Sequence, residues 1–213
     1  MKSLSSEHAP TAPVIAATAA SLPEQADALA RGIAAAEADG LSLLLLDCPE
    51  LFDRPGNPYL DAHGLDWADN GIRFGLLSRV AALLGQPASP LDWRPDVVHL
   101  NDWQSALAPA WLHYEGGAAS VVTVHNIAFQ GNFAADLLPA LGLPEHAWRF
   151  DGVEYHGQLS FLKAGLQLAT LISTVSPTYA QEIQDEAFGY GLAPLLRAQA
   201  DQGAMPAGDT GRH

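Results

Sequence analysis

Asp102 and His125 stand where two short apolar runs give out into polar residues that a buried strand would not keep without a reason. Asp96-Val97-Val98-His99-Leu100 runs into Asn101-Asp102-Trp103, and Ser120-Val121-Val122-Thr123-Val124 runs into His125-Asn126. If both runs are parallel strands, Asp102 and His125 fall at their carboxyl ends, where such sheets bind ligands. A carboxylate and an imidazole there can hold and orient a bound molecule through hydrogen bonds. Two plainer readings stand beside this one: Asp102 as the N-cap of the helix that follows, and His125 as a satisfied structural histidine. Metal chemistry finds no support in the spacing. The eight histidines are scattered, with no His-x-x-x-His or His-Glu-x-x-His pair. His99 and Asp102 could ligate together, but the strand pattern places His99 in a buried strand. No Gly-x-Ser-x-Gly elbow occurs, so a serine hydrolase is unsupported.

The elements that must position this pair form a βαβ unit. Gln104 to Tyr114, rich in Ala, Leu and Trp, reads as one helix closed by Gly116-Gly117. A helix between two strands at this spacing requires a parallel sheet. Upstream, Leu43 to Asp47 is an apolar run that fits a central strand. Leu51 to His63, crowded with Pro, Gly, Asn and Asp, reads as loop. Asp69 to Leu84 has helical spacing, with Ile72, Leu76, Val80 and Leu83 on one face. Phe129 to Asp151 reads as loop with short helical turns. Leu159 to Leu168 is a predicted helix, Leu171 to Val175 a strand, and Pro177 to Asp185 a helix with Ser176 as its N-cap. At the N-terminal side, Met1 to Ser21 reads as a tail and Leu22 to Asp39 as an alanine-rich helix stopped by Gly40. Residues 198–213 read as a frayed end. The fold class is α/β.

Bulk properties narrow the function. The chain has 213 residues, 48% of them hydrophobic, which is ample for a core and excludes wholesale disorder. Ten Lys plus Arg against 24 Asp plus Glu give a net charge of −14. That balance argues against nucleic acid, whose phosphates need cationic neutralisation, and against an anionic membrane surface. The lone cysteine, Cys48, excludes an intramolecular disulfide and reads as a buried structural thiol. No apolar stretch approaches the ~20 residues that span a bilayer, and no secretory signal is visible. The expected setting is cytoplasmic, and the oligomeric state is left open.

Four blocks in order carry a resemblance. They are Asp47-Cys48-Pro49-Glu50-Leu51-Phe52-Asp53-Arg54-Pro55-Gly56-Asn57-Pro58-Tyr59, the βαβ segment from Asp96 to Gly131, Gly157-Gln158-Leu159-Ser160-Phe161-Leu162-Lys163-Ala164-Gly165, and Thr174-Val175-Ser176-Pro177-Thr178-Tyr179-Ala180-Gln181-Glu182-Ile183. From Leu43 to about Arg197 the chain resembles the bacterial glycogen synthases and plant starch synthases, retaining glucosyltransferases of the two-domain GT-B fold. The resemblance implies a partial Rossmann-like parallel sheet with flanking helices, the N-terminal lobe of that fold, over residues 41–197. Residues 1–40 lie outside it. The family's Lys-x-Gly-Gly loop and its second, nucleotide-binding domain have no counterpart in the sequence, so the chain by itself is expected to be inactive.

The resemblance also implies a chemistry. Family enzymes transfer glucose from ADP-glucose, the donor substrate, to the non-reducing end of an α-1,4-glucan such as glycogen, with retention and with no cofactor or required metal. In His99-Leu100-Asn101-Asp102-Trp103, Asp102 matches the family's aspartate, expected to orient the acceptor or stabilise developing positive charge. In Thr123-Val124-His125-Asn126, His125 matches a histidine expected to hydrogen-bond glucose. Asn126, Gln130 and Gly131 follow as candidates for sugar hydroxyls. Trp67 stands where the family usually carries Tyr; its ring could stack on a sugar or simply pack. Lys163 is expected to pair with a carboxylate. The competing class is a non-catalytic glucan-binding or degenerate fragment.

Overall fold

The structure is a computed structural model that describes residues 34–38 and 41–205. The two Val-rich runs form β3 (Val97–Asn101) and β4 (Ala119–Val124), and Leu171–Thr174 forms β8. All three are parallel in the order β3-β4-β8, with Leu100 beside Val122 and Thr123 beside Ser173. Successive side chains of a strand point to opposite faces. Leu100, Val122, Val124 and Ile172 therefore enter the core together, under helices α2 (Asn70–Leu84), α4 (Ala108–Glu115) and α6 (Phe161–Leu168).

The opposite face is more open. There His99 is exposed, not buried as its strand position suggests, because β3 pairs only with β4 among the described residues. Its Nε2 meets Thr123 Oγ1 at 2.6 Å, and Thr123 Oγ1 meets Ser173 Oγ at 2.5 Å, a polar ladder across the three strands. The far edge of β8 is partly capped where Ile172 N donates to Ala204 O.

Between Asp102 and Glu115 the expected single helix is two pieces, α3 (Asp102–Ser105) and α4. Pro109 sits in the first turn of α4, where its missing N–H costs nothing, and a helix running through it would lose a bond and clash. Ser176 caps α7 (Pro177–Glu182) as expected, its Oγ accepting from Tyr179 N at 3.1 Å.

Several expectations fail elsewhere. Residues 22–33 of the alanine-rich helix lie outside the described residues, as does the Met1 to Ser21 tail. Ala34–Ala38 is not helical but strand β1, paired antiparallel with β2 (Leu41–Leu45). Pairing here overrides alanine's weak local preference. The leucine run is thus a hairpin arm with exposed leucines rather than a central strand. A short helix, α1 (Pro49–Phe52), begins the region read as loop. Cys48 is half-buried at its start, not enclosed.

Phe129 to Asp151 contains β5 (Asn132–Phe133) and α5 (Leu137–Ala140). With β6 (Glu154–Tyr155) and β7 (Gln158–Ser160), β5 makes a small antiparallel sheet, so α6 starts at Phe161 rather than Leu159. Ser160 caps it, accepting from Lys163 N. The expected frayed end is ordered as far as described: α8 (Ala193–Asp201) leads to Met205, which is buried. Among the described residues no helix is long and apolar enough to cross a membrane.

Candidate functional site

The carboxyl ends of β3 and β4 bring Asp102 and His125 into direct contact. Asp102 has a left-handed backbone, φ 53°, uncommon for a residue with a side chain. Asn101, not Asp102, is the N-cap of α3, and it makes no side-chain capping bond. The capping reading of Asp102 therefore falls. Its carboxylate reaches across to the neighbouring strand end. Oδ1 accepts from His125 N at 2.7 Å and Asn126 N at 3.4 Å, and Oδ2 lies 3.0 Å from His125 Nδ1. An ionised carboxylate only accepts, so the ring hydrogen sits on Nδ1 and Nε2 is left for other partners. The His125 side chain is 47% exposed and that of Asp102 27%. Asn126 uses Oδ1 to accept from Ala128 N at 3.0 Å, which shapes the turn after β4.

Beside this pair lies a cleft of about 1110 Å³. Neither Asp102 nor His125 lines it, but residues that follow each do: Trp103 and Gln104 after Asp102, and Ala128 to Phe133 after His125. Trp103 is the hub of its wall. Its ring centroid lies 4.7 Å from Phe74, 6.0 Å from Phe133 and 6.2 Å from Tyr59. Gly131, at φ 59°, packs under it; a Cβ there would sit 2.4 Å from Trp103 Cε3. So Gly131 makes room for the indole, and any contact with a ligand is through its backbone.

The opposite wall comes from the Pro- and Gly-rich loop, which is pinned rather than loose. Arg54 forms a two-pronged pair with Asp69 at 2.8 and 2.6 Å, which holds that carboxyl below its ordinary range. Buried Arg73 donates to Leu51 O, Pro58 O and Asn70 Oδ1, while Asn70 Nδ2 donates to Tyr59 O. Tyr59 is thereby presented to the cleft, its hydroxyl accepting from Gln104 Nε2 at 2.9 Å. Trp67 also lines the cleft, with the Arg54 guanidinium 4.8 Å from its ring centroid. Its Nε1 is buried and has no hydrogen-bond partner among the described residues.

Gln130 lines the cleft too, but its amide is already engaged: Nε2 donates to Tyr190 O at 2.9 Å. Lys163 is buried and meets carbonyls instead of the expected carboxylate, its Nζ donating to Gly152 O at 2.8 Å and to Phe150 O. Burial pulls its pKa from 10.5 down to about 8.

Of the expected site residues, then, Asp102, His125 and Asn126 form one network, while Trp67, Gln130 and Gly131 share the adjoining cleft. Sequence reasoning gave Tyr59 and Trp103 no ligand role and passed over Phe129 and Tyr190. For Tyr59 the available signal was an aromatic residue beside Pro in a loop, since such a ring cannot be explained by the period of a helix or strand; Trp103 and Phe129 have neither Gly nor Pro beside them. Among the described residues, none that lines the cleft is Lys or Arg. Concave, ring-lined and with only a few amides and one carboxylate, it suits a neutral polyhydroxylated ligand better than a phosphate.

Comparison with known proteins shows the family. Residues 4–198 match the family model of the starch synthase catalytic domain, a match that starts further upstream than Leu43. A glycogen synthase of Dechloromonas aromatica (strain RCB) is 76% identical over 183 residues, 85% of this chain and 38% of that protein. One of Nitrosomonas europaea is 56% identical over 167 residues, 78% of this chain and 34% of that protein. Among solved structures, the catalytic domain of Starch Synthase IV from Arabidopsis thaliana bound to ADP and acarbose superposes with a TM-score of 0.67. It is 26% identical, over 81% of this chain and 35% of that one. The chain thus spans little more than a third of the length of these relatives.

Proposed function

The chain belongs to the starch synthase catalytic domain family, and on that premise we propose that it builds the glucan-binding side of a glucosyltransferase site. The full reaction is transfer of glucose from ADP-glucose to the non-reducing end of an α-1,4-glucan, with retention, in glycogen synthesis. One observation carries the reading: a carboxylate–imidazole pair at two parallel strand ends, beside a cleft whose described lining is aromatic rings and amides.

Each group has a task in that reaction. Glucosyl transfer passes through a sugar cation, and a preorganised carboxylate such as Asp102 stabilises positive charge close by. The same carboxylate fixes the His125 tautomer, so Nε2 accepts a hydrogen bond from a sugar hydroxyl and orients it. Tyr59, Trp67 and Trp103 offer rings to the apolar faces of glucose units. The departing diphosphate needs cations or several N–H donors, whereas the described lining of the cleft is rings and amides, which favours the acceptor as its ligand. The complex of the Arabidopsis relative with ADP and acarbose supports a site of this class. A cytoplasmic setting accords with the single cysteine.

Equilibrium dialysis of the chain against maltoheptaose and, separately, ADP-glucose tests the assignment. Saturable retention of maltoheptaose, with ADP-glucose bound at least about tenfold more weakly, is the expected result. Retention of ADP-glucose without maltoheptaose would reverse it.

A further inference from the structure

Tyr190 has a left-handed backbone, φ 47°, and a side chain that stays outside the core, the residue being 61% exposed. Its two neighbours are locked. A Cβ on Gly189 would lie 2.6 Å from both Ile183 O and Ala193 Cβ, and one on Gly191 would lie 2.3 Å from Tyr155 Oη. Gly189 N donates to Asp185 O and Leu192 N to Gly189 O, each at 2.8 Å, and Leu192 and Ala193 are buried. The loop is therefore a built turn that holds one aromatic residue at the cleft. Unusual backbone at a non-glycine residue persists where the surroundings over-determine it, commonly at ligand sites.

The turn is also latched from the cleft. Gln130 Nε2 donates to the Tyr190 carbonyl at 2.9 Å, while Gln130 O accepts from Leu162 N in the first turn of α6. Gln130 thus ties the Tyr190 turn to the first turn of α6. Phe129, beside Gln130, is 63% exposed and lines the same cleft. Two aromatic residues left in water in one concavity gain nothing from folding, but each can cover the apolar face of a sugar.

We propose that Tyr190 is a chain-length-determining residue of the acceptor cleft, stacking with Phe129 on a glucose unit of the glucan, and that Gln130 is the positioning residue that holds it there. This rests on the glucan reading of the cleft. A volume of about 1110 Å³ has room for more than one glucose ring, so affinity should grow with oligosaccharide length, and Tyr190 should supply part of that growth.

Calorimetric titration with maltose and maltoheptaose tests this on the whole chain. Tyr190→Gly removes the ring while relieving the left-handed backbone, so the variant folds. It is expected to weaken maltoheptaose about tenfold and leave maltose unchanged, with Tyr190→Phe close to wild type. Gln130→Ala should weaken maltoheptaose in the same direction, and in the double variant the two losses should not add, since both act through one ring. Wild-type affinity for maltoheptaose in Tyr190→Gly, or equal losses for both sugars, overturns the role of Tyr190. Additive losses overturn that of Gln130. Wild-type protein that binds no maltoheptaose overturns the glucan reading itself, and this inference with it.

Discussion

Asp102 engages His125 and its neighbour with both carboxylate oxygens, and the left-handed backbone is what lets one side chain face a neighbouring strand. Both residues were legible from the sequence, because polar groups ending apolar runs stand out against the strand pattern. Their mutual contact was not, since strand register decides it. Gly131 was legible as a permissive residue, but the reason is steric: Trp103 occupies the place of its Cβ. Gly131→Ala should combine backbone strain with overpacking and destabilise the fold by about 2–4 kcal/mol. Urea unfolding measures it, and a loss below about 0.5 kcal/mol would contradict the packing described. Tyr190 was invisible in advance. A lone ring between two glycines has no period, and its partner Gln130 lies sixty positions away in sequence.

Elements with strong patterns, namely β3, β4, β8, α2 and α7, fell close to where the sequence placed them. The misplaced ones share a cause. A short apolar run such as Leu41–Leu45 looks the same whether it enters a sheet or a hairpin, and two-residue strands such as β5 and β6 carry no pattern at all. Lys163 shows how an element is fastened in a way no local signal reveals. From α6 it reaches the carbonyls of Phe150 and Gly152 and secures the segment that leads into β6. Burial lowers its pKa to about 8, below the 10.5 of an unfolded chain. Between these values the unfolded chain keeps a proton that the folded one releases, so stability due to Lys163 rises with pH across that window. The rise should reach at most about 3 kcal/mol. Raised pKa values at Tyr114 and Tyr155, caused by burial, work the opposite way at high pH, so the comparison must be with Lys163→Met. Unfolding free energies at pH values of about 7.5, 8.5 and 9.5 should climb in wild type relative to that variant. A constant difference would contradict the burial of a titrating amine.

At the scale of the whole molecule, charge and shape point the same way. A net charge of −14 and a cleft lined, among the described residues, by rings and amides both accord with the proposed neutral sugar ligand. The parallel sheet supplies the strand ends, the pinned Pro-rich loop supplies one wall, and the turn after β4 supplies the other. The sequence revealed the sheet and the family but not the cleft, because its lining comes from segments between Tyr59 and Tyr190 that only folding brings together. The most direct test of that cleft is a set of 1H–15N spectra recorded while maltoheptaose is titrated into the chain. Saturating shifts should concentrate on the indole N–H signals of Trp67 and Trp103 and on the amides of Ala128, Phe129, Gln130 and Tyr190. Spectra that do not change, or that change only at residues away from the cleft, would contradict a glucan-binding site there.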